Sequence, residues 1–261
     1  MQDIKQEKQT HISVELVPRD EATMRASLEA LPSASIDAVN VPDLLRFEMR
    51  SWQGAAIAEE MGAASIPHIR AMDIDLAKPL PMVGALRASG IKKVLVIQGD
   101  PPQDMMHAVY PTESVDVIHK FREEMPEVTV YAGLDQYRSN MREEAYRLRR
   151  KAQAGAQGFF TQPFFDLRYL EMYADLFDTL DDLRDTKIFW GLSPVTSARS
   201  QSYWELKNQV VFPKHFVPTL AASIQFARET LAFARTRGDS VYLMPIRADV
   251  KKYVDAVLSA I

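Results

Sequence analysis

A glutamate stands inside an otherwise apolar run, Val14-Glu15-Leu16-Val17-Pro18. A carboxyl group carried indoors by such a run loses hydration, which disfavours its charged form and raises its pKa. That change suits it to general-acid work near neutral pH. The competing reading is a structural glutamate paired with an inward Arg or Lys, because an unpaired buried acid is costly. Further along, Pro67-His68 precedes Arg70 and Asp73, and Gln98-Gly99-Asp100-Pro101-Pro102 ends another apolar run. Glycine there permits close approach of a ligand or a second backbone, while two prolines hold the aspartate in place. A tight turn with an Asx hydrogen bond fits the same residues. Thr161-Gln162-Pro163-Phe164-Phe165-Asp166 offers an amide, donor and acceptor at once, beside two rings that could pack on a flat heterocycle. It also reads as a helix cap, Asp166, next to core phenylalanines. Gly191-Leu192-Ser193-Pro194 precedes Trp204, and Met244-Pro245-Ile246-Arg247 ends in a guanidinium able to grip a carboxylate or to form an ordinary surface ion pair.

These residues sit at the ends of short β-branched runs that alternate with amphipathic stretches, the pattern of βα units and a parallel sheet. The expected strands are 12–17, 36–41, 66–72, 93–97, 128–132, 158–162, 187–192 and 240–245. The expected helices are 21–31, 51–62, 76–89, 112–124, 140–154, 167–180, 201–208 and 218–237, with a terminal helix from about Ala248. Gly62, Gly90, Gly155 and Gly238 follow helical runs as C-terminal caps, and Asp20, Ser51, Thr112 and Ser139 stand where N-caps belong. Eight strand–helix units close naturally into an α/β fold, the (β/α)₈ barrel, whose chemistry gathers at the C-terminal ends of the strands. A doubly wound open sheet is the main competitor. One domain over 1–261 is expected, with 1–11 a flexible tail.

The 261 residues are 47% hydrophobic and 25% charged, enough to bury a core without staples. With no cysteine, a disulfide framework, thiolate zinc and a cysteine nucleophile are all excluded. His11, His68, His107, His119 and His215 show no metal-ligand spacing, so no metal is expected. A net charge of −4 gives no reason to expect nucleic acid or an anionic membrane. The polar start MQDIKQEKQTHIS lacks a signal-peptide core, and no apolar run is long enough to span a bilayer; the cytoplasm is the expected location. No G-x-G-x-x-G, Walker, G-x-S-x-G or H-E-x-x-H motif occurs, so a dinucleotide is not expected to bind in the Rossmann manner.

From about Ile12 to Val257 the strand-end residues together resemble the methylenetetrahydrofolate reductases. Val14-Glu15-Leu16-Val17-Pro18 looks like the family's F-E-F-F-P segment. Pro67-His68, Gly90-Ile91 and Gln98-Gly99-Asp100 look like its P-H-L, G-I and R-G-D. Lys151-Ala152-Gln153-Ala154-Gly155-Ala156 through Asp166 is similar to its K-x-x-A-G-A…T-Q-x-F-F-D, the most specific piece. The resemblance implies reduction of 5,10-methylenetetrahydrofolate to 5-methyltetrahydrofolate by hydride from NADH or NADPH through bound FAD, in one-carbon metabolism and methionine biosynthesis. It implies Glu15 as general acid and Asp100 as its catalytic companion at the pterin. Gln162, Ser200, Trp204 and Arg247 would join Asp100 in holding folate, with Arg247 on the glutamate tail. Asn40, His68, Gln98, Gly99, Asp100, Tyr137 and Lys151 would fall on flavin-contacting positions.

The departures concern the flavin more than the folate. The family's T-Y-G reads Asn40-Val41-Pro42, its Y-P-E-x-H reads Gly133-Leu134-Asp135-Gln136-Tyr137, and the arginine of R-G-D is Gln98. Two alternatives therefore stand beside the flavoenzyme: a flavin-independent reductase on the same barrel, and a folate-binding partner subunit without its own turnover. Association of identical subunits is compatible with the sequence, which does not specify it.

Overall fold

The computed structural model describes residues 9–32, 35–102, 106–184 and 186–259. Among them, eight parallel strands close into a barrel in chain order, with helices between them. They are β1 (Ile12–Glu15), β2 (Ala38–Val41), β3 (Ser65–Arg70), β4 (Lys93–Ile97), β5 (Thr129–Leu134), β6 (Gly158–Pro163), β7 (Lys187–Leu192) and β8 (Ser240–Leu243). The helices are α1 (Glu21–Glu29), α2 (Ser51–Glu60), α3 (Val83–Ala88), α4 (Ser114–Glu124), α5 (Met141–Ala154), α6 (Leu167–Thr179), α7 (Ala198–Asn208), α8 (Leu220–Arg237) and α9 (Val250–Leu258). This is the (β/α)₈ barrel expected from the pattern.

The strand period of two divides the side chains between two cores. Val14, Val39, Val41, Ile69, Val94, Val96, Ile188 and Trp190 face outward and pack under helix residues such as Met24, Phe121, Tyr173 and Phe177. Ala38, Ile66, Leu95, Tyr131, Phe160, Phe189, Tyr242 and Met244 fill the interior. There Phe160 stacks on Phe189 with centroids 4.0 Å apart, and Tyr131 meets both edge-on at 5.4 and 5.5 Å. The barrel is thus a packed core, closed below its mouth by aromatic rings.

The helix expected over 76–89 forms only at its end, as α3. Pro79 and Pro81 lack the N–H groups a helix needs and push the residues before them toward extended conformation. Asp20 caps α1 as expected, accepting from Thr23 N at 2.7 Å. Ser51, Thr112 and Ser139 do not cap; the caps are Arg50, Glu113 and Asn140. The Ser51 and Thr112 hydroxyls instead donate to loop and strand carbonyls, His68 O at 2.6 Å and Ile74 O at 2.7 Å. Of the expected tail 1–11, residues 1–8 lie outside the described residues. His11 is tied to β8 on both sides of its backbone, donating to Ser240 Oγ at 3.1 Å and accepting from Val241 N at 2.9 Å. Among the described residues no helix is long and apolar enough to cross a membrane.

Candidate active site at the barrel mouth

Glu15 is the last residue of β1, in register with Asn40 of β2. It faces the interior, where the Tyr242 hydroxyl of β8 donates to its Oε2. Burial pushes the Glu15 carboxyl up to about 7, against the smaller downward pull of the Tyr242 hydrogen bond. Asn40 in turn lies beside His68 of β3, with Nδ2 3.1 Å from the imidazole Nε2. Burial drives His68 down to about 3, so the ring is neutral across the physiological range. With the amide donating to Nε2, the ring proton sits on Nδ1, and Asn40 Oδ1 is left buried without a partner. Tyr242, Glu15, Asn40 and His68 thus form a polar arc across four adjoining strands, β8, β1, β2 and β3. No charged group lies within the arc itself at neutral pH once Glu15 is protonated.

The arc continues into ion pairs. Arg70, at the end of β3, donates from Nε to Asp73 Oδ2 at 3.0 Å and from Nη2 to the Asp100 carbonyl. Arg50 bridges the same Asp73 oxygen at 3.0 Å and the buried Asp43. Gly99 takes φ +85, and a Cβ there would lie 3.1 Å from Arg70 Cζ, so glycine is needed for both conformation and space. Asp100 itself is exposed at the rim.

Other site candidates hold structural positions. Gln98 turns its amide to the start of α4, donating to Thr112 O at 3.0 Å and accepting from Ser114 N at 3.1 Å. Lys151 is buried and donates to Gly133 O at 2.6 Å; desolvation lowers its ammonium to about 8. Tyr137 donates to Pro163 O at 2.9 Å and lies against Tyr169. Gln162 is half-buried at an irregularity in β6, its carbonyl held by Gln136 Nε2 at 2.8 Å and by Thr161 Oγ1 at 2.8 Å. Ser200 closes a capping box with Ser197 at the start of α7. Trp204 is buried among Phe165, Val195 and Val210. Arg247 is exposed, holds φ 57 and sits 5.0 Å above the Tyr203 ring, a left-handed conformation uncommon for a residue with a Cβ.

The structure thus brings Glu15, Asn40, His68 and Gly99 onto one stretch of wall, sets Asp100 and Gln162 at the rim, and keeps Gln98, Lys151, Ser200 and Trp204 in supporting contacts. Sequence reasoning missed Tyr242 as Glu15's partner and left Arg70 without a role. Alternation held the first signal: the inward position in Ser240–Leu243 that meets β1 carries a hydroxyl. Ser193 was also passed over as a site; its hydroxyl is buried just past β7 with no partner.

A set of solved barrels shares the architecture. A 2,3-dimethylmalate lyase of the PEP mutase/isocitrate lyase superfamily aligns over 94% of this chain and 77% of its own, with TM-score 0.57 and 13% identity. An oxaloacetate acetylhydrolase aligns over 98% and 79%, with TM-score 0.55 and 11% identity. At such identities the likeness is one of fold alone. Two curated relatives are named 5,10-methylenetetrahydrofolate reductase. The one from Buchnera aphidicola subsp. Schizaphis graminum is 22% identical over 159 residues, 60% of this chain. The one from Buchnera aphidicola subsp. Acyrthosiphon pisum is 23% identical over the same length. The matched region spans about half the length of each relative, 54%. The family model described as methylenetetrahydrofolate reductase matches residues 1–231, which contain Glu15, the Gln98-Gly99-Asp100 turn and the run from Lys151 to Asp166. On that match over most of its length, the chain belongs to the methylenetetrahydrofolate reductase family.

Proposed function

We propose that the protein reduces 5,10-methylenetetrahydrofolate to 5-methyltetrahydrofolate with hydride from NADH or NADPH, and that Glu15 is the general acid. One observation carries the reading: the inward strand-end carboxyl is half-buried, hydrogen-bonded by Tyr242, and pushed up to about 7 by desolvation. Opening the imidazolidine ring requires a proton on the departing amine nitrogen. Glu15 supplies it, and the carboxylate left behind is stabilised by the Tyr242 O–H. Asp100, at the rim, then balances the positive charge of the 5-iminium cation that accepts hydride at its exocyclic carbon. Gln162 would meet the pterin, and Arg247 would bind the carboxylates of the glutamate tail.

A flavin fits part of this wall. Asn40 Oδ1, buried without a partner, is an acceptor for a ring N–H, and His68 presents a neutral ring beside it. Asn40, His68 and the Gly99–Asp100 turn would hold the flavin, with Tyr137 at the β5 end. Bound FAD would supply two-electron transfer between the nicotinamide and the folate. The supports for a flavin-free reductase on the same barrel are equally concrete. The Gln98 amide and Lys151 ammonium are both committed to backbone groups, and Arg50, Arg70, Arg138 and Arg147 are each paired with a carboxylate rather than left for a diphosphate. The visible spectrum of the purified protein, before and after NADH, separates the two: a flavin band bleached by NADH selects FAD, and a colourless protein that still turns over selects direct transfer. For either route, Glu15→Gln is expected to lower folate reduction by about 10²–10⁴-fold. Undiminished folate turnover in that variant would remove Glu15 from the chemistry.

A further inference from the structure

We infer that Tyr242 is a positioning residue for Glu15, fixing the carboxyl so that its acidic proton is carried on Oε1, the oxygen turned from the tyrosine. The inference rests on the proposed role of Glu15 as an acid, and adds to it a second residue from the opposite end of the chain.

The geometry is simple. β1 and β8 are neighbours in the closed barrel, with Ser13 in register with Tyr242, which places the tyrosine hydroxyl level with the next inward residue of β1, Glu15. The hydroxyl donates to Oε2. A phenol whose ionisation is suppressed by burial and by the adjacent carboxyl keeps its O–H, and among the described residues Oε2 is the acceptor that O–H meets, so Oε2 accepts in both ionisation states of Glu15. When Glu15 is neutral its proton therefore resides on Oε1. On transfer, the Oε1–H bond breaks, an N–H bond forms on the substrate amine, and the electron pair stays on the carboxylate, whose Oε2 keeps the tyrosine's hydrogen bond. Tyr242 neither gains nor loses a proton.

The tyrosine ring is held independently of this bond. It meets Phe160 edge-on at 5.3 Å and His68 at 6.2 Å, as part of the interior aromatic layer. A phenylalanine at 242 keeps that packing and removes only the donor. The groups around Glu15 that could confuse its titration are few. From β2 comes Asn40, uncharged; from β3 comes His68, kept neutral; from β1 itself comes Ser13, one inward step below. The next charge along the wall is Arg70, already bound to Asp73 and to the Asp100 carbonyl. From β8 there is Tyr242 alone, followed by Met244.

The experiment reads Glu15 directly. Its protonated carboxyl gives a C=O stretch in pH-difference infrared spectra, assigned by its loss in Glu15→Gln. In Tyr242→Phe the midpoint of that band is expected to rise by about one pH unit, the effect of one lost charge-assisted hydrogen bond to the carboxylate. The alkaline limb of kcat for folate reduction is expected to move with it, while kcat falls about tenfold and KM for folate stays within about twofold. Incorporation of 3-fluorotyrosine at 242, the same shape but a stronger donor, is expected to move the midpoint down; it serves also if the phenylalanine variant does not fold. A midpoint that stays put or shifts the other way in the folded variants overturns the inference. The infrared readout needs no turnover. A wild-type protein that shows the band shifts yet never reduces methylenetetrahydrofolate would refute the proposed function and leave the pairing standing.

Discussion

Glu15 and His68 are inward titratable groups on strands separated by β2 alone, and desolvation moves both toward neutrality from opposite sides. Their consequences for pH follow from which state binds more protons. Glu15 is raised in the folded protein, so its protonated form favours folding fully below about pH 4.5, and that contribution is lost as pH rises through 7. Glu15→Gln is accordingly expected to raise stability relative to wild type at pH 8, on the order of 1–2 kcal/mol, and to change it little at pH 4, as thermal denaturation at the two values will show. His68 is depressed, so the unfolded chain takes up its proton first. Stability is expected to fall as pH drops from 6.5 toward 3, and His68→Gln should flatten that slope in acid titrations. Activity that depends on the Glu15 proton should hold below pH 7 and decline through it. Much of this was open to inspection in the sequence, because a lone carboxylate in Val14–Pro18 has few places to go except inside. Its partner was not, since Tyr242 is 227 positions away and only barrel closure sets them together.

Elements carry the second group of consequences. The turn after β4 is held from β3, by Arg70 on the Asp100 carbonyl and by the guanidinium filling the space above Gly99. Gly99→Ala adds a Cβ at positive φ and 3.1 Å from Arg70 Cζ, and is expected to cost about 1–3 kcal/mol in urea denaturation while lowering folate turnover through a displaced Asp100. In the first turn of α5, Glu144 is fully buried and paired with Arg138 and Arg147, each at 3.2 Å. Glu144→Ala removes the buried acceptor of two partly exposed guanidinium groups, of which Arg147 keeps Glu143 and Ser139, and a loss of about 1–3 kcal/mol is expected by the same measurement. The sequence pattern located these elements within a few residues at most ends. It misjudged α3 because the apolar positions of 76–89 keep a helical spacing while Pro79 and Pro81 forbid the helix. Ser51 and Thr112 misled in a related way. A hydroxyl near a helix start can cap it or bind a neighbouring backbone carbonyl, and here a strand carbonyl, His68 O, and a loop carbonyl, Ile74 O, compete successfully.

At the scale of the whole molecule, the interior aromatic layer sets the depth of the mouth. Phe160, Phe189, Tyr131 and Tyr242 seal the barrel beneath Glu15, which keeps water from reaching the carboxyl from below. Phe160→Ala is expected to cost about 3–5 kcal/mol and, by admitting water, to lower the Glu15 infrared midpoint toward the ordinary carboxylate range. The amino-acid sequence alone determined the alternation of strands and helices, the count of βα units and the positions of acidic, amide and guanidinium groups at strand ends, because period-two and period-3.6 hydrophobicity are local properties. Which of those groups face one another was decided only by closure of the sheet. Closure joins β1 to β8, turns Gln98 out to α4, buries Trp204 and brings Arg70 over Gly99, each a contact between segments whose separation along the chain carries no information about their distance in space.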